Sequence, residues 1–124
     1  MLGENNEVIE VHRIRLADNR PCVLEIDYLP IGLRPVAEKL TEHPSMFRLL
    51  KQEGIGPIVG FDDRFGACLA GDAISTDLEC DPGTPLLTVL ERLSDASGVT
   101  IYVSQQYIVT DRYTHQTGTT NKLW

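Results

Sequence analysis

A chain of 124 residues, 42% hydrophobic and 23% charged, has the composition of one globular domain and is too short for two. Its 11 basic residues stand against 18 acidic ones, a net charge of −7. That argues against a nucleic-acid grip by this chain alone, since such a grip rests on clustered Lys and Arg facing phosphate. No apolar run approaches the ~20 residues that span a bilayer and no signal-peptide pattern opens the sequence, so no membrane partner is expected.

Residues Val8 to Leu16 are β-branched and partly alternating, which predicts a strand. Ala17-Asp18-Asn19-Arg20-Pro21 supplies turn chemistry, and Cys22 to Leu29 returns as a second strand, giving a hairpin. After Pro30-Ile31-Gly32, the spacing of Leu33, Val36, Ala37 and Leu40 predicts a helix. Pro44-Ser45 opens another over Met46 to Glu53, with Ser45 as N-cap and Gly54 as the stop. Ile58 to Leu69 reads as an irregular strand broken by Gly60 and Gly66, and Gly71 to Leu78 as a helix closed by Asp81-Pro82-Gly83. Leu86 to Leu93 is a strand, Ser94 to Gly98 a turn, and Val99 to Tyr113 a long final strand; the polar tail follows from Thr114. The order β-β-α-α-β-α-β-β, built from hairpins, predicts an α+β fold with a mostly antiparallel sheet and flanking helices.

Side chains two apart on a strand share a face, so Arg13 and Arg15 point the same way. Two guanidiniums beside apolar neighbours suit a carboxylate or phosphate, which Arg binds bidentately. In a random hairpin they more often make a solvated face with surface ion pairs, which are common and weak. With a loop at residues 17–21, Arg13 falls opposite Glu25 on that face. A cross-strand pair of this kind either stabilises the hairpin or orients a guanidinium for a ligand, and spacing does not separate the two. Ser45 at a helix start offers a hydroxyl to an anion or serves only as a cap. Tyr102 and Tyr107 lie on opposite faces, so at most one lines a given cavity. Ser104 has no His partner within reach, and no carboxylates stand out as an acid/base couple. Glu91-Arg92 and Asp111-Arg112 read as strand-end ion pairs or turn anchors, and His12 faces away from the arginines. Cys22, Cys68 and Cys80 show no C-x-x-C spacing, and the histidines are scattered at 12, 43 and 115. This predicts no disulfide framework and no metal site, with a reducing cytoplasm as the simplest home.

Seven pieces in order then resemble one family. They are Leu2-Gly3, Val8-Ile9 with Arg13-Ile14-Arg15, Asp18-Asn19-Arg20-Pro21 through Glu25 to Tyr28-Leu29-Pro30, Ser45-Met46-Phe47-Arg48-Leu49-Leu50, Pro82-Gly83-Thr84-Pro85-Leu86-Leu87, Glu91-Arg92 and Asp111-Arg112-Tyr113. Over roughly residues 2 to 115 the chain resembles a UTRA domain, the effector-binding half of HutC-type regulators in the GntR family. The resemblance implies a chorismate-lyase-like fold across residues 1–124, no cofactor, and a sensor of a small anionic metabolite. It implies a homodimer that meets DNA only through an N-terminal winged helix-turn-helix, a segment not seen here, and the domain's own first strand and helix are missing with it. By the same resemblance Arg13 and Arg15 would meet the anionic group, Glu25 the polar body, and Ser45 a phosphate. Tyr102 and Ile108 stand where amino-sugar-phosphate sensors carry Glu and Tyr, which points to a flatter or more apolar acid. The alternative is an enzyme of the chorismate-lyase type, acting on an aromatic acid.

Overall fold

The computed structural model describes residues 7–43 and 45–112. Strands β1 (Val8–Ala17) and β2 (Arg20–Pro30) form the first hairpin. Asp18 and Asn19 turn it with φ of 51° and 65°, the left-handed pair that a two-residue hairpin turn demands and that Asp and Asn tolerate. A 3-10 turn (Ile31–Leu33) leads to α1 (Arg34–Lys39), and α2 (Met46–Gln52) follows. Ser45 caps α2 as expected, its Oγ accepting from the Arg48 N–H at 3.3 Å. Next come β3 (Gly60–Leu69), α3 (Asp72–Leu78), β4 (Pro85–Ser94) and β5 (Thr100–Ile108). The sheet is antiparallel throughout, in the order β1-β2-β5-β4-β3. This is the α+β arrangement the hairpin grammar predicts.

Helices lie on both faces. Leu33, Val36 and Leu40 around α1, with Met46, Leu49 and Leu50 of α2, pack on Leu29, Leu93 and Tyr102 at one end of the sheet. On the opposite face Leu78 and Ile74 of α3 close over Leu24, Leu86 and Tyr107. A third cluster, Val23, Val89 and Ile108 with Cys22, holds the far end. The helical face is therefore apolar at both ends, with a polar strip between them.

Two details differ from the sequence expectation. β3 is regular, pairing with β4 at every residue from Gly60↔Ser94 to Leu69↔Pro85. Its glycines admit close neighbours rather than break the strand. A Cβ at Gly60 would lie 2.3 Å from Ser94 Oγ, and one at Gly66 would lie 2.9 Å from Thr88 Oγ1. The final strand is shorter than predicted and ends at Ile108. Beyond it the chain turns, the Arg112 N–H bonding back to the Val109 carbonyl at 3.1 Å. The Arg112 guanidinium ties that turn to the carbonyls of Pro21, Leu78 and Glu79. The Leu2-Gly3 piece, Pro44, Tyr113 and the tail lie outside the described residues.

Candidate functional site

The site grows out of the first hairpin. Pairing runs Leu16↔Pro21 but Arg15↔Val23, so Cys22 is an extra residue, a β-bulge. The Cys22 thiol donates to the Arg15 carbonyl at 3.3 Å. Without that insertion Arg13 would face Leu24; with it, Arg13 faces Glu25. The expected cross-strand pair is present, set by a two-residue turn plus a bulge rather than by a five-residue loop.

The arginines are not equivalent. Arg13, 16% exposed at its side chain, is clamped by two acids. Its Nη2 meets Glu25 Oε2 at 2.6 Å and Asp27 Oδ2 at 2.7 Å, while Nε reaches Asp27 Oδ2 at 3.1 Å. Arg15, 58% exposed, lies on the other oxygen of Glu25, with Nε at 3.1 Å and Nη2 at 3.0 Å. Glu25 thus bridges both guanidiniums from a buried position. Burial alone lowers the Arg13 pKa, but the charges and hydrogen bonds of Glu25 and Asp27 outweigh it and hold Arg13 protonated above its ordinary value.

Glu25 and Asp27 form a carboxylate pair, contrary to the expectation that none stands out. Spacing two apart on one strand was the available signal, since it places both on one face. Burial raises both, but they part company. The hydrogen bond with Asp27 and the charges of Arg13 and Arg15 bring Glu25 below the usual carboxylate range. Asp27 is pushed up to about 7 by burial, by the hydrogen bond with Glu25 and by the Glu25 charge.

Beside this cluster lies a cavity of about 320 Å³. Arg13, Arg15, Glu25, Ser45 and Tyr102, all singled out by sequence, line it together. Met46 and Phe47 from the start of α2 form a further wall, and Ser104, Gln106 and Glu91 bring β5 and β4 to it. Burial raises the Tyr102 phenol well above its ordinary pKa, so it stays a neutral hydrogen-bonding group. Tyr107 packs in the core of the opposite face, consistent with the alternation.

Glu91 is not paired with its neighbour as expected. Arg92 points to the other face, where it meets Thr100 Oγ1 at 3.0 Å and Asp62 at 3.8 Å. Glu91 instead shares a hydrogen bond with Asp63, its cross-strand partner on β3, and burial and that acid raise it to about 7. Asp27, Glu91, Ser104 and Gln106 were not predicted as lining or supporting a site. Their strand phases carried the information, but only the sheet order brings β4 and β5 beside β2.

The UTRA domain family matches residues 1–114. No curated protein matches closely enough to extend the comparison. Among solved structures, the C-terminal domain of Yurk from Bacillus subtilis is similar at 25% identity and TM-score 0.78, over 85% of this chain and 73% of that one. The ligand-binding domain of a candidate GntR-family transcriptional regulator from Bordetella bronchiseptica shares the fold at 24% identity and TM-score 0.83, over 94% and 74%. The C-terminal domain of the histidine utilization repressor from Pseudomonas syringae pv. tomato shares it at 16% identity and TM-score 0.77, over 93% and 80%. With the family match spanning all the described residues and the α+β sheet in place, the chorismate-lyase-like fold serves ligand binding rather than catalysis: the chain belongs to the UTRA domain family, the ligand-binding domains of GntR-family transcriptional regulators.

Proposed function

We propose that the cavity beside Arg15 binds a small anionic metabolite and that occupancy biases a dimer between arrangements differing in operator affinity. The observation that carries this reading is convergence: Arg13, Arg15, Glu25, Ser45 and Tyr102 lie on four separate elements or their ends and line one cavity. Arg15 is the group an acid would meet, being half exposed with a planar fork that Glu25 orients from behind. Ser45, exposed at the start of α2, adds a hydroxyl at the same mouth, and the Tyr102 ring gives an apolar wall. The isolated domain would carry no DNA grip of its own; operator contact would belong to a winged helix-turn-helix in the intact regulator, working in the cytoplasm. A ligand shifts such an equilibrium only through its different affinity for the two arrangements. The test is calorimetry with a panel of sugar phosphates, carboxylates and aromatic acids against the parent and Arg15→Ala. The expected result is at least one acid that binds the parent and loses affinity in the variant. Acids that bind both equally would refute the assignment.

A further inference from the structure

Two buried oxygens on neighbouring strands have no hydrogen-bond partner among the described residues: Ser104 Oγ on β5 and Asp27 Oδ1 on β2. Ser104 is 3% exposed and Asp27 fully buried, and native cores seldom leave such atoms unsatisfied. Ser104 lines the cavity directly. Register explains why these atoms come together. Asp27 pairs with Ser104, Ser104 with Glu91, and Glu91 with Asp63, so one row across four strands carries three acids and a hydroxyl on one face.

Cations serve this row unevenly. Arg13 meets Asp27 at the β2 end, and Arg15 reaches only as far as Glu25. Glu91 faces Asp63 instead, and both Glu91 and Asp27 hold protons at a higher pH than ordinary carboxylates, the behaviour of acids crowded together in a partly dry site. Among the described residues no group of His, Cys, Asp and Glu is placed to hold a metal ion. The acceptors here suit a larger, directional donor.

Resting on the reading of this cavity as the effector site, we propose that its β4–β5 end is a subsite for an organic ammonium group, so that the effector is a zwitterion. Glu91 and the Ser104 hydroxyl, both lining the cavity, receive the ammonium N–H donors, with Asp27 beside Ser104 in the same row. Arg15 and Ser45 receive the acid group at the opposite end. An ammonium carries three donors and no acceptor, which matches a site made of acceptors. The backbones bearing Arg15 and Glu91 are three strand spacings apart across the sheet, about 14 Å, and four residues apart along it, yet both side chains line the one cavity, so an extended molecule with its charges at opposite ends bridges them. The Tyr102 ring, also lining the cavity, offers the ammonium a π face.

The test uses matched probes: propyl phosphate against 3-aminopropyl phosphate, and pentanoate against 5-aminopentanoate, titrated by calorimetry into the parent, Arg15→Ala, Glu91→Gln and Ser104→Ala. Circular dichroism verifies that each variant folds. The aminated member of each pair should bind the parent about tenfold tighter or more, a difference of one good charge-assisted contact. Glu91→Gln should abolish that preference, read as the ratio of the two members' affinities for the same variant, and Ser104→Ala should reduce it. Arg15→Ala should weaken both members of a pair alike. Equal binding of the two members to the parent overturns the ammonium subsite while the acid end stands. So does a preference that survives both Glu91→Gln and Ser104→Ala. Should the plain acids bind the parent and Arg15→Ala equally, the effector reading itself falls and the subsite falls with it.

Discussion

Two arginines of one strand face, two residues apart, do different work because their burial differs. Arg13 compensates Glu25 and Asp27, whose side chains are 6% and 0% exposed. Removing one partner of a buried ion cluster leaves uncompensated charge and typically costs about 3–5 kcal/mol. Arg13→Ala should therefore lower the urea midpoint strongly. Arg15→Ala, at an exposed position, should change stability by less than about 1 kcal/mol. Its effect belongs in binding: losing a charge-assisted hydrogen bond of about 1.5–3 kcal/mol weakens an acidic effector roughly 10- to 150-fold. Equal destabilisation by the two variants in urea titrations would contradict this division. The acids predict a pH dependence as well. Asp27 meets Glu25 and Arg13 on its own hairpin, with the Tyr102 phenol of β5 and the Glu91 carboxyl of β4 within electrostatic reach. Asp27 and Glu91 both titrate near 7 when folded, well above an unfolded carboxylate. The native state then binds more protons than the unfolded chain between about pH 4 and 7, so stability falls as pH rises through that window and levels off above it. Glu25, shifted the other way, opposes this only at more acidic pH, where protonating it removes its pairing with the arginines. Thermal melts from pH 5 to 8 should show a falling midpoint, and Asp27→Asn should make the fall shallower, leaving the share that belongs to Glu91. A midpoint that rises over that range would show the Asp27 carboxyl ionised throughout.

At the level of elements, much was legible because local chemistry decided it. The Asp18-Asn19 turn, the Ser45 cap and the α2 stop at Gly54, with φ +73°, all follow from residues that favour those backbone conformations. Three features were not legible, each for a physical reason. The Cys22 bulge is a pairing property, visible only when two strands meet. Gly60 and Gly66 read as breaks, yet each answers a side chain on β4 that its own neighbours do not reveal. The last strand's end was overrun because Val109 is as β-prone as the residues before it. What stops the strand is distant, namely the Arg112 guanidinium bonded to carbonyls of Pro21, Leu78 and Glu79. The same is true of the site: Arg13, Arg15 and Glu25 were within one hairpin's reach, whereas Glu91 and Ser104 needed the sheet order. The Arg112 clamp carries its own prediction. It secures the exit of α3, where Glu79 sits in the left-handed region at φ 51°. Arg112→Ala should cost about 1.5–3 kcal/mol, the worth of charge-assisted bonds to carbonyls left unpaired. Amide hydrogen exchange should show the loss centred on α3 and the start of β2. Uniform protection across the sheet and α3 in the variant would mean the clamp is dispensable.

Taken as a whole molecule, the domain presents one edge unlike the rest. On β3 and just before it, Val59, Phe61, Phe65 and Leu69 are 57%, 56%, 71% and 67% exposed. Their odd spacing sets them on one face, with Phe61 against Phe47 of α2 at 6.3 Å between ring centroids. β3 is also the last strand of the sheet among the described residues, so the N–H and C=O groups of alternate residues along its ten-residue length face outward with no neighbouring strand. A long edge strand with an exposed apolar face is the feature that monomeric proteins avoid with charge, bulges or cover. Asp62, Asp63 and Arg64 put charge in the middle of the strand, and two copies running antiparallel would set the Arg64 of one near the aspartates of the other. Self-pairing along β3 would therefore satisfy the edge, bury the phenylalanines and match charge at once. The same net-acidic surface of −7 gives no phosphate grip, so the dimer should form without DNA. Sedimentation at tens of micromolar, on the order of ordinary interface dissociation constants, should show a dimer, and a doubly substituted Phe65→Glu, Leu69→Lys chain should run as a monomer. Those side chains face solvent, so the monomeric variant should keep the parent's circular dichroism. A parent that sediments as a monomer, or a dimer indifferent to both substitutions, would place the contact elsewhere than β3.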